Sequence, residues 1–249
     1  STYRTGYLIQ PFNIYLDAGL SSPIPPNLIL LSHSHLDHNA ELYSLLIKGK
    51  NTPVMLPNSE LTVTQLLLNN FHTLNSGKIK KYSNWRPIVE KNFKCTINKK
   101  NFIINTFTLD HSVNCQAYSI DTENYKLKDE YKGLTGKELG ILKKEVEITE
   151  KYNVPMLLFV SDTGKSILST LPFSHYPLVI IECTFIEDND YQESVKKRHL
   201  HINDLLPIVK ICNNTTFIFG HFSCKYDKEY LIEKEKIVKS NYPNVAFWI

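Results

Sequence analysis

The run Asn27-Leu28-Ile29-Leu30-Leu31-Ser32 passes straight into His33-Ser34-His35-Leu36-Asp37-His38. A short apolar segment therefore ends in four residues of metal-ligand type. Runs of this length read as buried strands. In the extended segment that leaves the strand, His33 and His35 stand at i and i+2, point to the same side and can share one ion. Asp37 and His38, beyond the turn, can reach a second. Imidazole nitrogen with one carboxylate suits zinc, and Asp37 adds an oxygen donor that helps hold an open, hydroxide-bearing position. The plain alternative is an Asp capping a His-rich surface loop, which leaves the density of ligands unexplained.

The same regularity recurs along the chain. FIINTFTL ends in Asp110-His111, PMLLFVS in Asp162, LVII in Glu182, and TTFIFG in His221. Buried-looking strands thus deliver metal-type or acid-base residues at their C-terminal tips, where helix-covered sheets collect their sites. Between these runs lie segments of helical pattern, NAELYSLLIKG and SELTVTQLLLNNF. The alternation predicts an α/β fold of layered sheet and helix.

Composition bounds the rest. Hydrophobic residues make up 42% and charged residues 21% of 249, which predicts a sizeable core and excludes disordered, collagen-like and coiled-coil chains. With no repeat, low-complexity tract or linker, residues 1–249 are expected to form one domain. No apolar stretch approaches the roughly 20 residues needed to cross a bilayer, so no membrane partner is expected. The start, STYRTGYLIQPF, lacks a signal-peptide pattern, and the five cysteines include no CxxC pair. An intracellular, cytoplasmic location follows as the expectation. The net charge of +3 is mild, but Lys78, Lys80, Lys81, Arg86, Lys91, Lys94, Lys99 and Lys100 face only Glu90. That strip is either a phosphate-attracting surface or a solvated pair of strands.

His33, His35, Asp37 and His38 match the HxHxDH signature of the metallo-β-lactamase superfamily, and His111, Asp162 and His221 follow in the order of its later motifs. Within that superfamily the chain resembles ribonuclease Z, the tRNA 3′ endonuclease family, through LDAG at 16–19, SDT at 161–163, ECT at 182–184 and GHFSCKY at 220–226. The resemblance implies a four-layer αββα sandwich. It also implies two zinc ions, with manganese or another divalent ion as substitutes. His33, His35 and His111 would hold one, Asp37, His38 and His221 the other, and Asp162 would bridge them.

Such a pair generates hydroxide near neutral pH and stabilises the attacking and departing oxygens. Asp37 is therefore carried as both ligand and catalytic residue. Glu182 is expected to pair with a histidine that protonates the leaving 3′ oxygen. His201 is preferred for that role, with His199 as its rival. Asp17 is expected to orient the HxHxDH loop.

The implied partner is RNA, with precursor tRNA the named candidate; a homodimer is left open. Two departures bear on substrate. The stretch 126–151 reads as mixed-charge turns with short helix or strand, so the long tRNA-clamping arm of the family is expected to be shortened or missing. Lys225 stands where the family usually has arginine, and lysine cannot make a bidentate phosphate fork. Two other functions compete: hydrolysis of β-lactams or other amides and esters, and a non-catalytic, metal-stabilised RNA-binding scaffold.

Overall fold

The computed structural model describes residues 4–249; the first three residues of the STYRTGYLIQPF start lie outside them. Strands β1 (Tyr7–Ile9), β2 (Ile14–Leu16), β3 (Leu28–Leu30), β4 (Thr52–Met55) and β5 (Trp85–Ile88) form a five-stranded sheet in that order. Helices α1 (Leu36–Asn39) and α2 (Leu42–Leu46) connect β3 to β4, and α3 (Leu61–Ser76) connects β4 to β5.

The rest of the chain builds a second sheet. Its strands are β6 (Asn92–Ile97), β7 (Lys100–Leu109), β8 (Cys115–Leu127), β9 (Thr149–Val160), β10 (Leu178–Glu182), β11 (Thr216–Gly220) and β12 (Val245–Phe247). They lie in the order β12-β11-β10-β9-β8-β7-β6. Helix α4 (Gly136–Leu142) sits between β8 and β9, α5 (Tyr191–Lys197) and α6 (Ile202–Ile211) between β10 and β11, and α7 (Lys228–Asn241) before β12.

Strands β2 to β5 are mutually parallel, as are β9 to β12, whereas β6 to β9 are antiparallel. Parallel strands covered on both faces need apolar residues at every position, which is why LILL and LVII run unbroken. Side-chain alternation then sorts each strand between two cores. Leu28 and Leu30 point inward with Leu16 and Met55 against Phe102, Ile104, Tyr118 and Phe159 of the second sheet. Ile29 and Leu31 point outward onto Leu45 and Leu46 of α2 and Leu68 of α3. On the far side, Val179, Ile181 and Phe219 pack against Leu205 and Val209 of α6 and Leu231 of α7. Helix, sheet, sheet, helix is the expected four-layer α/β sandwich.

Strands β7, β9, β10 and β11 run in one direction, so their C-terminal ends gather at one edge with that of β3. The HxHxDH loop emerges there. The hydroxyl of Tyr118 lies 2.7 Å from Leu31 O and 2.8 Å from Met55 O, holding the two sheets in register just below that edge.

Two expectations can now be located. The stretch 126–151 closes the β8–β9 hairpin, which stays paired to Leu127 opposite Thr149 and is capped by α4 with a Thr135–Glu138 capping box. Because β8 runs away from the HxHxDH edge, this short tip stands at the opposite end of the sandwich. The basic strip occupies the two edge strands and their approaches. Lys78, Lys80 and Lys81 precede β5, and Lys99 and Lys100 sit at the β6–β7 turn. All five therefore lie towards the end remote from the HxHxDH edge. No helix among the described residues is long and apolar enough to cross a membrane.

Candidate metal centre

The site begins with how the HxHxDH loop is held. Asp17 follows β2 in a left-handed conformation at φ 59°. Its carboxylate accepts from Ser32 N–H (2.7 Å), Ser32 Oγ–H (2.9 Å) and His38 Nδ1–H (2.7 Å). One buried acid thus fixes the end of β3 and the orientation of an imidazole. Gly19 is required for the same approach, since a Cβ there would stand 1.9 Å from Asp37 O. This accounts for the LDAG string in terms of contact.

Side chains from both sheets then meet. His33, His35, His111 and Asp162 place donor atoms within 4.8 Å of one another; so do Asp37, His38 and His221, and so do Asp162, His199 and His221. Asp162 Oδ2 lies 3.8 Å from His33 Nε2, 3.4 Å from His38 Nε2 and 3.7 Å from His111 Nε2, and Asp162 Oδ1 lies 3.3 Å from His221 Nε2. Asp37 Oδ2 is 3.4 Å from His221 Nε2. His221 follows β11 at φ 61°, a left-handed turn of a bulky residue that costs roughly 1–3 kcal/mol and is retained where geometry demands it.

The hydrogen bonds behind the rings fix which nitrogen faces inward. His38 Nδ1–H is taken by Asp17, and His111 Nδ1–H donates to Arg198 O (3.3 Å). Thr184 Oγ–H donates to Glu182 Oε2 (2.6 Å), so the same oxygen can only accept from His221 Nδ1–H (3.1 Å). Each bond leaves Nε2 as the nitrogen that faces the cluster. His38 Nε2 and His221 Nε2 consequently face one another at 3.1 Å. His33 Nε2 and Asp162 Oδ1 are buried without a hydrogen-bond partner. Imidazole nitrogens converging on a buried carboxylate oxygen that lacks a hydrogen-bond partner fit a bound cation.

Electrostatics treats the members of that set differently. Burial, helped by the neighbouring His38, pushes His33 down to about 2, so it is held neutral. Burial also lowers His111, against the pull of Asp162. Burial opposes charge on His38 too, but the Asp162 and Asp17 carboxylates overcome it and raise its pKa well above the ordinary value. Burial disfavours the ionised Asp162, yet His221 and His38 hold its carboxyl well below the usual range. The donors are thus a neutral imidazole, further imidazoles and an ionised carboxylate at the centre.

The pairing with Glu182 corrects the expectation from sequence. Glu182 Oε1 accepts from His199 Nδ1–H at 3.0 Å, not from His201. Although burial works against it, the Glu182 carboxylate raises His199 to about 9. His201 is fully buried: its Nδ1 accepts from Asn203 N–H (3.1 Å), capping α6, and its Nε2–H donates to Glu187 O (2.9 Å). With both nitrogens committed to the backbone, His201 has no route to a substrate. His199 instead lines the open cleft of about 620 Å³ with His35, His111, Asp162 and His221.

The basic side chains of that cleft are Lys196, Lys197 and Arg198, not the strip at 78–100. The string Lys196-Lys197-Arg198-His199 was visible in the sequence as the densest run of cations next to a candidate histidine. Lys225 does not line that cleft: it ion-pairs with Asp190 and packs over the rings of Phe185 and Tyr226.

No family model matches the chain. Among curated proteins, tRNase Z TRZ1 of Arabidopsis thaliana is 27% identical over 213 residues, covering 82% of this chain and 75% of that protein. Among solved structures, the metallo-β-lactamase fold protein YhfI from Bacillus subtilis superposes with a TM-score of 0.64 at 18% identity, covering 99% of this chain and 88% of that one. The short form of human tRNase Z superposes at 0.58 with 14% identity, over 99% and 92%. In the order of its motifs the chain is thus similar to curated ribonuclease Z proteins, and its four-layer sandwich is the metallo-β-lactamase fold of these solved structures.

Proposed function

We propose that the chain, as one metallo-hydrolase domain, is a dinuclear zinc endoribonuclease that removes 3′ trailers from precursor tRNA. The observation that carries this reading is the Glu182–His199 pair facing the same cleft as the His/Asp cluster. A proton donor beside the cluster is what departure of a 3′ alkoxide requires. The similarity to a protein named tRNase Z supports the substrate class.

His33, His35 and His111 would hold one ion, Asp37, His38 and His221 the other, with Asp162 between them. Divalent ions held by these groups would supply a water of pKa about 7 and offset charge developing on the phosphate. The chain's own residues do the rest. Asp17, Thr184 and Arg198 hold the Nδ1 protons of His38, His221 and His111, so those rings cannot turn. Glu182 keeps His199 protonated and oriented through Nδ1, leaving the Nε2 proton for transfer. As water adds to phosphorus, the bond from phosphorus to the 3′ oxygen breaks and that oxygen takes the His199 proton. The products are a 3′ hydroxyl on the tRNA and a 5′ phosphate on the trailer.

Incubating metal-replete protein with end-labelled precursor tRNA and mapping the cut tests the reading. A cut at the trailer boundary with those two ends is expected. Absence of cleavage of both precursor tRNA and unstructured RNA, with metal content verified, overturns it.

A further inference from the structure

We propose that Arg198 is a phosphate anchor at the mouth of the cleft, its guanidinium binding a phosphodiester of the RNA strand beside the scissile linkage. This inference rests on the RNA-cutting reading above.

Arg198 ends α5 in the left-handed conformation, φ 54° and ψ 53°, and its turn lets His199 N–H reach Ser194 O at 3.0 Å. That turn swings His199 off the helix end into the cleft. Glycine adopts the conformation without strain, whereas a residue with a Cβ is strained there. The backbone alone gives no reason for arginine.

The side chain does. Arg198 Nη1–H donates to His111 O (3.0 Å), while Arg198 O accepts from His111 Nδ1–H (3.3 Å). One residue therefore holds His111 by two bonds and has its own guanidinium fixed along one edge. The group is still about half exposed, 55%, and its ion pair with Asp110 Oδ1 is long, at 3.6 Å, beyond hydrogen-bond reach. Lys197, by contrast, is engaged with Glu193 at 2.6 Å. Arg198 thus presents a planar set of donors, already oriented, one residue from the proton donor His199. Such a fork matches two phosphate oxygens in a way lysine cannot.

The test uses metal-replete protein and a precursor tRNA whose scissile 3′ oxygen is replaced by methylene, so that it binds without being cut. Affinity is measured from low to moderate salt for wild type, Arg198→Gly and Arg198→Lys. Glycine removes the guanidinium and its bond to His111 O while keeping the turn and the carbonyl bond to His111 Nδ1–H, so Arg198→Gly should fold and hold as much metal as wild type, checked by melting and elemental analysis. It should bind roughly tenfold more weakly, with the slope of log affinity against log salt reduced by about 1. Arg198→Lys should restore the slope and only part of the affinity, and it serves alone if the glycine variant fails to fold. Unchanged affinity and slope in Arg198→Gly, or equal loss of slope in both variants, overturns the anchor while leaving the function standing. Wild-type protein that neither binds this RNA nor cuts the ordinary precursor overturns both.

Discussion

His199 and His201 are the same residue two positions apart, and their surroundings give them opposite work. One faces a carboxylate and open cleft; the other is sealed beneath a helix cap. The substitutions should separate cleanly. His199→Ala should lower the cleavage rate by about 10²- to 10⁴-fold with little change in melting temperature, the range for a lost general acid. His201→Ala should leave the rate per folded molecule nearly intact and reduce stability by about 1–2 kcal/mol, the cost of an N-cap. Single-turnover kinetics and thermal melts measure the two effects. If His201→Ala abolished chemistry in folded protein, the assignment would be reversed.

The pH profile gives a second check on the same pair. A proton donor acts while protonated, and the Glu182 carboxylate raises His199 to about 9 against burial. Cleavage should therefore be lost as pH rises through the folded-state pKa. Glu182→Gln removes the charge that raises it, so the alkaline limb should move to lower pH. A limb that stays in place in Glu182→Gln would mean that His199 is not the titrating donor.

At the level of elements, legibility in the sequence followed burial. MLLFV, LVII and FIFG are strands covered on both faces, so their runs and the tips carrying Asp162, Glu182 and His221 could be read directly. The choice between His199 and His201 could not. It depends on a left-handed turn at Arg198, and arginine does not advertise such a turn as glycine would. The direction of the β8–β9 hairpin was equally hidden, because composition shows that 126–151 is polar but not which end of the sandwich it occupies.

That direction has a consequence for the arm. Charges along the hairpin neutralise one another: Lys126 pairs with Glu150 (2.9 Å), Lys151 with Glu123 (2.9 Å) and Lys132 with Asp129 (2.6 Å). Paired cations contribute little to phosphate binding, since their charge is already compensated. Replacing 128–148 by a two-residue turn should change KM for precursor tRNA by less than about threefold and leave its salt dependence intact. A tenfold rise in KM would show that the tip grips the RNA after all.

For the whole molecule, the centre is also a seam. His33, His35, Asp37 and His38 come from the first sheet, while His111, Asp162 and His221 end strands of the second. Without a cation, the sandwich must keep a buried carboxylate oxygen without a hydrogen-bond partner and imidazole nitrogens crowded to 3.1 Å. Any ion bound only by the folded chain adds stability by mass action, about 2.7 kcal/mol at a free concentration one hundred times Kd. For a domain of this size each kcal/mol moves the melting point by roughly 2–4 °C. Stripping metal with a chelator should therefore lower Tm by roughly 5–10 °C, and zinc should restore it. Asp162→Asn, which keeps the shape but not the central charge, should show a much smaller chelator shift. A protein that holds metal by elemental analysis yet melts at the same temperature after its removal would show that the seam is closed by packing alone.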